Sequence, residues 1–160
     1  MKKIFFISLF LIFVSSVGFA SSQKTPQDLS VRYEFIQGGP VNAATFEKYI
    51  VKENTLTQDI DYIPTQYGSD SSKRVKESKT YPLSPEQLQE LWAIISRHQF
   101  LSWPLSNPDR PPLSGNQTFI IQANGKTLTH TMWDSGQKEV FIEFSADFIA
   151  WAKKVIRLRF

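Results

Sequence analysis

Hydrophobic and polar positions alternate with a period of two at Val31, Tyr33 and Phe35 against Arg32, Glu34 and Ile36, which predicts a strand. Gly38-Gly39-Pro40 ends it, since glycine tolerates turn conformations and proline lacks an amide donor. Thr45–Lys52 is rich in β-branched and aromatic residues and predicts a second strand. Glu53-Asn54 then turns the chain into a third, Thr55–Ile63, with Leu56, Ile60 and Tyr62 on one face. Three such strands in succession predict a meander. Residues 64–80 are mostly polar and long for a loop in a compact domain. Within and just beyond them, Arg74–Tyr81 alternates weakly and predicts a Lys-rich edge strand, whose charges discourage unwanted pairing.

The pattern then changes period. Ser84-Pro85-Glu86-Gln87 places a capping serine, a proline at the first helical position and a glutamine three residues after the cap. Leu88, Leu91, Trp92 and Ile95 follow on one helical face, so a helix runs to about His98, with Phe100, Leu101 and Trp103 tucked against the core. Residues 104–115 hold Pro104, Pro108, Pro111 and Pro112 without periodicity and predict a stiffened surface loop. Asn116–Trp133 predicts a hairpin about Asn124-Gly125, the residues that a tight type I′ turn favours. In that register Phe119 faces His130 and Ile121 faces Leu128, while Thr118, Thr127, Thr129 and Thr131 lie on the other face. Phe141, Phe144, Phe148, Trp151 and Val155 predict a closing helix. Its start stays open, because Val140–Phe144 reads equally as a short strand with Ser145 capping the helix. Strands, helix, hairpin and helix in this order predict an α+β domain, an antiparallel sheet with two helices packed on one face.

The amino terminus changes the picture of where the protein works. Lys2 and Lys3 precede an apolar run, Ile4–Val14, and a small-residue exit ending at Ala20, the layout of a bacterial secretory signal peptide. The expected organisation is a signal peptide over 1–20, a flexible leader over 21–30 and a single domain over 31–160. A retained anchor is the alternative, but a spanning helix needs about 20 apolar residues, and Ser8, Ser15, Ser16 and Gly18 interrupt this run. The expected location is the periplasm or the extracellular medium, with no stable membrane anchor after cleavage. Without Lys2 and Lys3 the 18 basic residues become 16 against 15 acidic ones, and the net charge falls from +3 to +1. A near-neutral chain offers no reason to propose nucleic acid as a partner. The chain contains no cysteine, which excludes disulfides, thiolate metal sites and cysteine catalysis.

Candidate chemistry is sparse. His98 and His130 are the only histidines. His98 falls at a helix end, where an imidazolium complements the last carbonyls. His130 falls on the apolar face of the hairpin, where a packed histidine is expected. Asp59 and Asp61 share a strand face with Thr55 and Thr57 that reads as solvated. Acid–base work there would need a cleft and another carboxylate. The basic run Lys73-Arg74-Val75-Lys76 with Lys79 reads as a solvated edge diluted by Asp70 and Glu77. Lys153, Lys154, Arg157 and Arg159 complement the dipole of the last helix. No catalytic residue, cofactor or metal is expected. The residues expected to bind a partner are Trp103, Pro108, Asp109 and Arg110, since a rigid loop loses less entropy on binding and aromatic and arginine side chains dominate interface energetics.

The helix motif Leu83-Ser84-Pro85-Glu86-Gln87-Leu88 with Leu91-Trp92, and its exit Gln99-Phe100-Leu101 with Trp103-Pro104, follow a strand ending in Gly38-Gly39. Pro108-Asp109, the run from Phe119 to His130 and a closing helix complete the order. Over residues 31–156 this order resembles that of emfourin-type proteins, small bacterial inhibitors of thermolysin-like metalloproteases. The resemblance implies an exported protease as partner and an inhibitory role. Pro40 stands where an aromatic is expected in that family, and the second and third strands are longer, so no inhibitory residue is carried over. The expected function is an exported, non-enzymatic domain that binds a protein or peptide. The alternatives are a domain that binds a cell-envelope polymer through the threonine-rich face, and a small envelope hydrolase using His130 or the Asp59/Asp61 face.

Overall fold

A computed structural model of the chain describes residues 24–37, 45–63, 71–104, 116–132 and 138–158. The signal-peptide residues, Gly38-Gly39-Pro40 and the loop carrying Pro108, Asp109 and Arg110 lie outside the described residues. Six strands, β1 (Ser30–Gln37), β2 (Thr45–Lys52), β3 (Thr55–Tyr62), β4 (Val75–Pro82), β5 (Asn116–Ala123) and β6 (Lys126–Thr131), form one sheet. Its order is β4-β3-β2-β1-β5-β6, and all the pairings are antiparallel. Helix α1 (Pro85–Arg97) carries the chain from one edge of the meander towards the hairpin beside β1, and α2 (Lys138–Arg157) closes the chain. The fold is α+β, as the change of period along the chain predicts.

Local chemistry fixes each element. The Ser84 hydroxyl accepts from the Gln87 amide at 3.3 Å, and the Ser84 amide donates to Gln87 Oε1 at 2.8 Å. Two amides that the first helical turn leaves unpaired are thereby satisfied. The β2–β3 turn holds Glu53 and Asn54 at φ of 50° and 59°, and the β5–β6 turn holds Asn124 and Gly125 at 53° and 72°. Both are two-residue turns with positive φ, whose twist matches that of the flanking strands. The hairpin register pairs Phe119 with His130 and Ile121 with Leu128, as read from the sequence.

The core lies between the sheet and the helices. Val31, Tyr33, Tyr49, Val51, Leu56, Phe119 and Ile121 from the sheet meet Leu91 and Ile95 of α1 and Phe141, Phe144, Phe148 and Trp151 of α2, all buried. The start of α2 is thereby settled: Val140–Phe144 is helix, not strand, because only helical spacing turns Phe141, Phe144 and Phe148 together onto Phe119. Ser145 is no cap; its hydroxyl donates to the Phe141 carbonyl at 2.7 Å within the helix.

The leader also differs from expectation, since it is pinned before residue 30. Asp28 Oδ1 accepts from the Asn124 amide at 2.8 Å and Oδ2 from the Gly125 amide at 2.7 Å, tying the start of the domain to the hairpin tip. Leu29 behind it is buried. The Gly125 amide first, then that of Asn124, holds the Asp28 carboxyl below its ordinary pKa. Asp147 is lowered as well, chiefly by its hydrogen bond with His98. A carboxyl whose pKa is depressed on folding adds stability above its unfolded value, near 4, that disappears as pH falls through the folded value. The thermal midpoint should therefore decline below about pH 4. Asp28→Asn should lower the midpoint at neutral pH and make its acid decline shallower, as measured by melting curves between about pH 6 and pH 2.

Candidate interaction surface

The sheet has a second face, and among the described residues neither helix packs on it. In β1, buried Val31 and Tyr33 alternate with Arg32, Glu34 and Ile36, which point away from the core. Register extends that face across the strands. One row runs Lys76, Asp61, Phe46, Ile36 and Asn116. The next runs Ser78, Asp59, Lys48, Glu34, Thr118 and Thr131. The third runs Thr80, Thr57, Ile50, Arg32, Ile120 and Thr129.

The first row is the unusual one. Ile36 and Phe46 are cross-strand neighbours, 38 % and 37 % exposed. The Arg74 guanidinium carbon lies 5.8 Å from the Phe46 ring centroid, within cation–π range. Arg74 is itself held by Asp61, Nη1 to Oδ1 at 2.6 Å, with Lys76 Nζ 3.6 Å from Asp61 Oδ2. Arg32 and Lys48 converge on Glu34 at 2.6 Å and 3.7 Å. Ser78 donates to Asp59 at 2.6 Å, and Thr57 and Thr80 lie 3.1 Å apart. Opposite charges and hydroxyls placed across strands fix these side chains before any partner arrives. The result is a largely polar surface, cross-linked between strands, with one apolar pair in its end row.

That end is also where long connections meet the sheet. β1 leaves, β2 enters, β3 leaves, β4 enters and β5 enters there, through segments 38–44, 64–70 and 105–115. The tight turns at Asn54 and Asn124 occupy the opposite end. Asn116, the first described residue after the proline-rich segment, pairs with Ile36. Pro108, Asp109 and Arg110, in the segment that leads into β5, lie outside the described residues.

Trp103 is placed differently from its expected binding role. It is only 8 % exposed, its ring packs near Phe100, His130, Phe141 and Phe144, and its Nε1 donates to the His98 carbonyl at 2.8 Å. It plugs the exit of α1 and presents almost nothing to a partner. The aromatic side chain on the outside is Phe46. Sequence patterning did not single it out, because β2 carries apolar residues on both faces.

The other candidates are structural. His130 is fully buried, with Phe100 and Trp103 edge-on to its ring, and burial pushes its pKa below the ordinary imidazole value. Burial thus disfavours the charged imidazolium, and the ring is closed off from solvent. His98 sends its ring to the other helix rather than to its own carbonyls: Nε2 lies 2.7 Å from Asp147 Oδ2, which Arg97 also reaches at 2.7 Å. This cluster clamps α1 to α2. Lys154 does the same at 2.7 Å from Glu90, a use that its role at the helix dipole leaves out. Asp59 and Asp61 do face away from the core, and Ser78, Arg74 and Lys76 engage them there.

A polar network on the helix side was also not foreseen. The Tyr49 hydroxyl donates to Glu47 Oε1 at 2.5 Å and accepts from Gln58 Nε2 at 3.2 Å. Desolvation first, then Glu47, raises the pKa of Tyr49, and the same two causes raise that of Tyr33. Both phenols therefore stay protonated, and that of Tyr49 satisfies the half-buried Glu47 carboxylate. Among the described residues no cluster of three or more histidine, aspartate or glutamate side chains is arranged to hold a metal ion, and no helix is long and apolar enough to cross a membrane. No family model matches the chain. A comparison with curated proteins finds no match either.

Proposed function

We propose that the protein is an exported, non-enzymatic domain that binds a protein or peptide through the open face of its sheet, with segment 105–115 adding to the contact. The observation that carries this reading is the exposed pair Ile36–Phe46, backed by Arg74, on a face that the helices leave uncovered. Aromatic and arginine side chains are the types that concentrate interface energy, and a face held by cross-strand ion pairs loses little entropy when covered. The Lys2–Ala20 pattern supports export. The resemblance to emfourin-type inhibitors supports an exported protease as the partner.

The test is capture from envelope and culture-medium fractions, comparing the wild type with an Ile36→Ser/Phe46→Ser variant. Both side chains are only partly exposed and pair across the strands, so the thermal midpoint should fall somewhat, and retention is compared at a temperature where melting curves show both proteins folded. Retention of the partner should fall about tenfold or more. Equal retention by both proteins would place the site elsewhere. Retention on purified peptidoglycan that depends on Thr57, Thr118 and Thr129, and not on Phe46, would transfer the site to the polar rows and the function to polymer binding.

A further inference from the structure

On the opposite side of the molecule, the outer stripe of α2 carries a pattern that the fold does not use. Glu139, Glu143, Ala146, Ala150, Lys153 and Arg157 are all exposed and recur at spacings of four and three, so they lie along one seam pointing away from the core. The charges of α2 that face α1 are paired, Asp147 with Arg97 and His98, and Lys154 with Glu90. Among the described residues no ion pair engages the four charges of the outer stripe. They also stand as like-charge pairs four apart, Glu139 with Glu143 and Lys153 with Arg157, an arrangement that destabilises an isolated helix. The helix dipole favours Glu139 and Arg157 at the ends. Its effect fades beyond the terminal turns, so it leaves Glu143 and Lys153 largely unexplained.

The stripe is symmetric in spacing and reverses its charge about the centre: acid, acid, alanine, alanine, base, base. We infer that this stripe is a self-association surface, on which α2 of a second copy packs antiparallel about a two-fold axis. In that arrangement Glu139 faces Arg157 of the second copy, Glu143 faces its Lys153, and Ala146 faces its Ala150. Every contact then occurs twice, as an isologous interface requires. The two small residues let the helix backbones approach at the centre. Ile142, 46 % exposed beside them, adds apolar surface. The seam is roughly 27 Å long at 1.5 Å per residue, and one such seam covers less than the roughly 1,200–2,000 Å² of a standard interface. The association is therefore weak and follows concentration. Because the stripe points away from the sheet, both open faces remain outward, and the pair presents two copies of the surface described above.

Sedimentation of the protein as cells produce it tests this, from about 10 µM to about 500 µM and at about 50 mM and about 500 mM salt. The weight-average mass of the wild type should rise towards twice the monomer with concentration, less so at high salt. E143K alone and K153E alone should stay monomeric, since each sets like charges opposite one another at both ends of the seam. An equimolar mixture of the two variants should regain the dimer, because a mixed pair restores opposite charges at both positions. All three samples should melt as the wild type does at low concentration, which separates loss of association from loss of fold. A wild type that stays monomeric throughout overturns the inference. Single variants that associate like the wild type, or a mixture that stays monomeric, also overturn it.

Discussion

Phe119→Ala lowers the stability of the domain by about 3–5 kcal/mol. The ring is fully buried at the middle of β5. Its centroid lies 4.7 Å from Tyr33 and from Phe144, 5.2 Å from Phe148 and 5.6 Å from Phe141. It therefore joins β1 and β5 to Phe141, Phe144 and Phe148 of α2. The surrounding aromatics are large and mutually braced, so they cannot collapse into the space that truncation opens. A domain of this kind has only about 5–15 kcal/mol in all, so the melting midpoint should fall by roughly 10 °C or more. Thr129→Ala, exposed on the neighbouring strand, should stay within about 0.5 kcal/mol. Equal losses in the two melting curves would mean that the sheet has its faces reversed.

Trp103→Ala has an effect of similar size for a different reason. It removes a buried ring that packs near Phe100 and His130, and it leaves the His98 carbonyl without the indole donor. Truncation should cost about 3–5 kcal/mol. Trp103→Phe keeps most of the packing and should cost about 1–3 kcal/mol for the unsatisfied carbonyl. Binding of a partner by Trp103→Phe should match the wild type at a temperature where both are folded. A loss of binding larger than the loss of stability would return Trp103 to the interaction surface.

Much of the architecture was legible because several signals agreed at the same residues. The capping box at Ser84 and Gln87, the proline at the first turn and the apolar stripe from Leu88 to Ile95 all specify one helix with one start. Asn124-Gly125 fixes a turn with positive φ at both residues, and that turn fixes the whole register of β5 and β6. The alternation in β1 even put Ile36 on the outer face. Depth was less legible than face: Leu128 points inward but, on the outermost strand β6, is only partly buried. Its replacement by alanine should fall towards the low end of the usual 2–5 kcal/mol.

What could not be read were relations between distant residues. β2 carries Phe46 and Ile50 on one face and Tyr49 and Val51 on the other, so only pairing with β1 shows which aromatic is outside. The Asp28 contact with the hairpin tip spans 97 residues of sequence. Lys154 looks like a partner for the helix dipole until α1 brings Glu90 beside it. The start of α2 was open because Val140–Phe144 suits either state, and the ring packing around Phe119 decided it.

The most direct test of the open sheet face as the binding surface is side-chain footprinting of the wild-type protein with hydroxyl radicals, alone and with its captured partner. Backbone amides of the central strands are hydrogen-bonded in both states, so side-chain oxidation is the more sensitive readout. Oxidation of Phe46 and Ile36 should fall several-fold in the complex while Ile142 on α2 is unchanged. Undiminished oxidation of Phe46 and Ile36 in the complex, with protection confined to the helix side, would contradict the account.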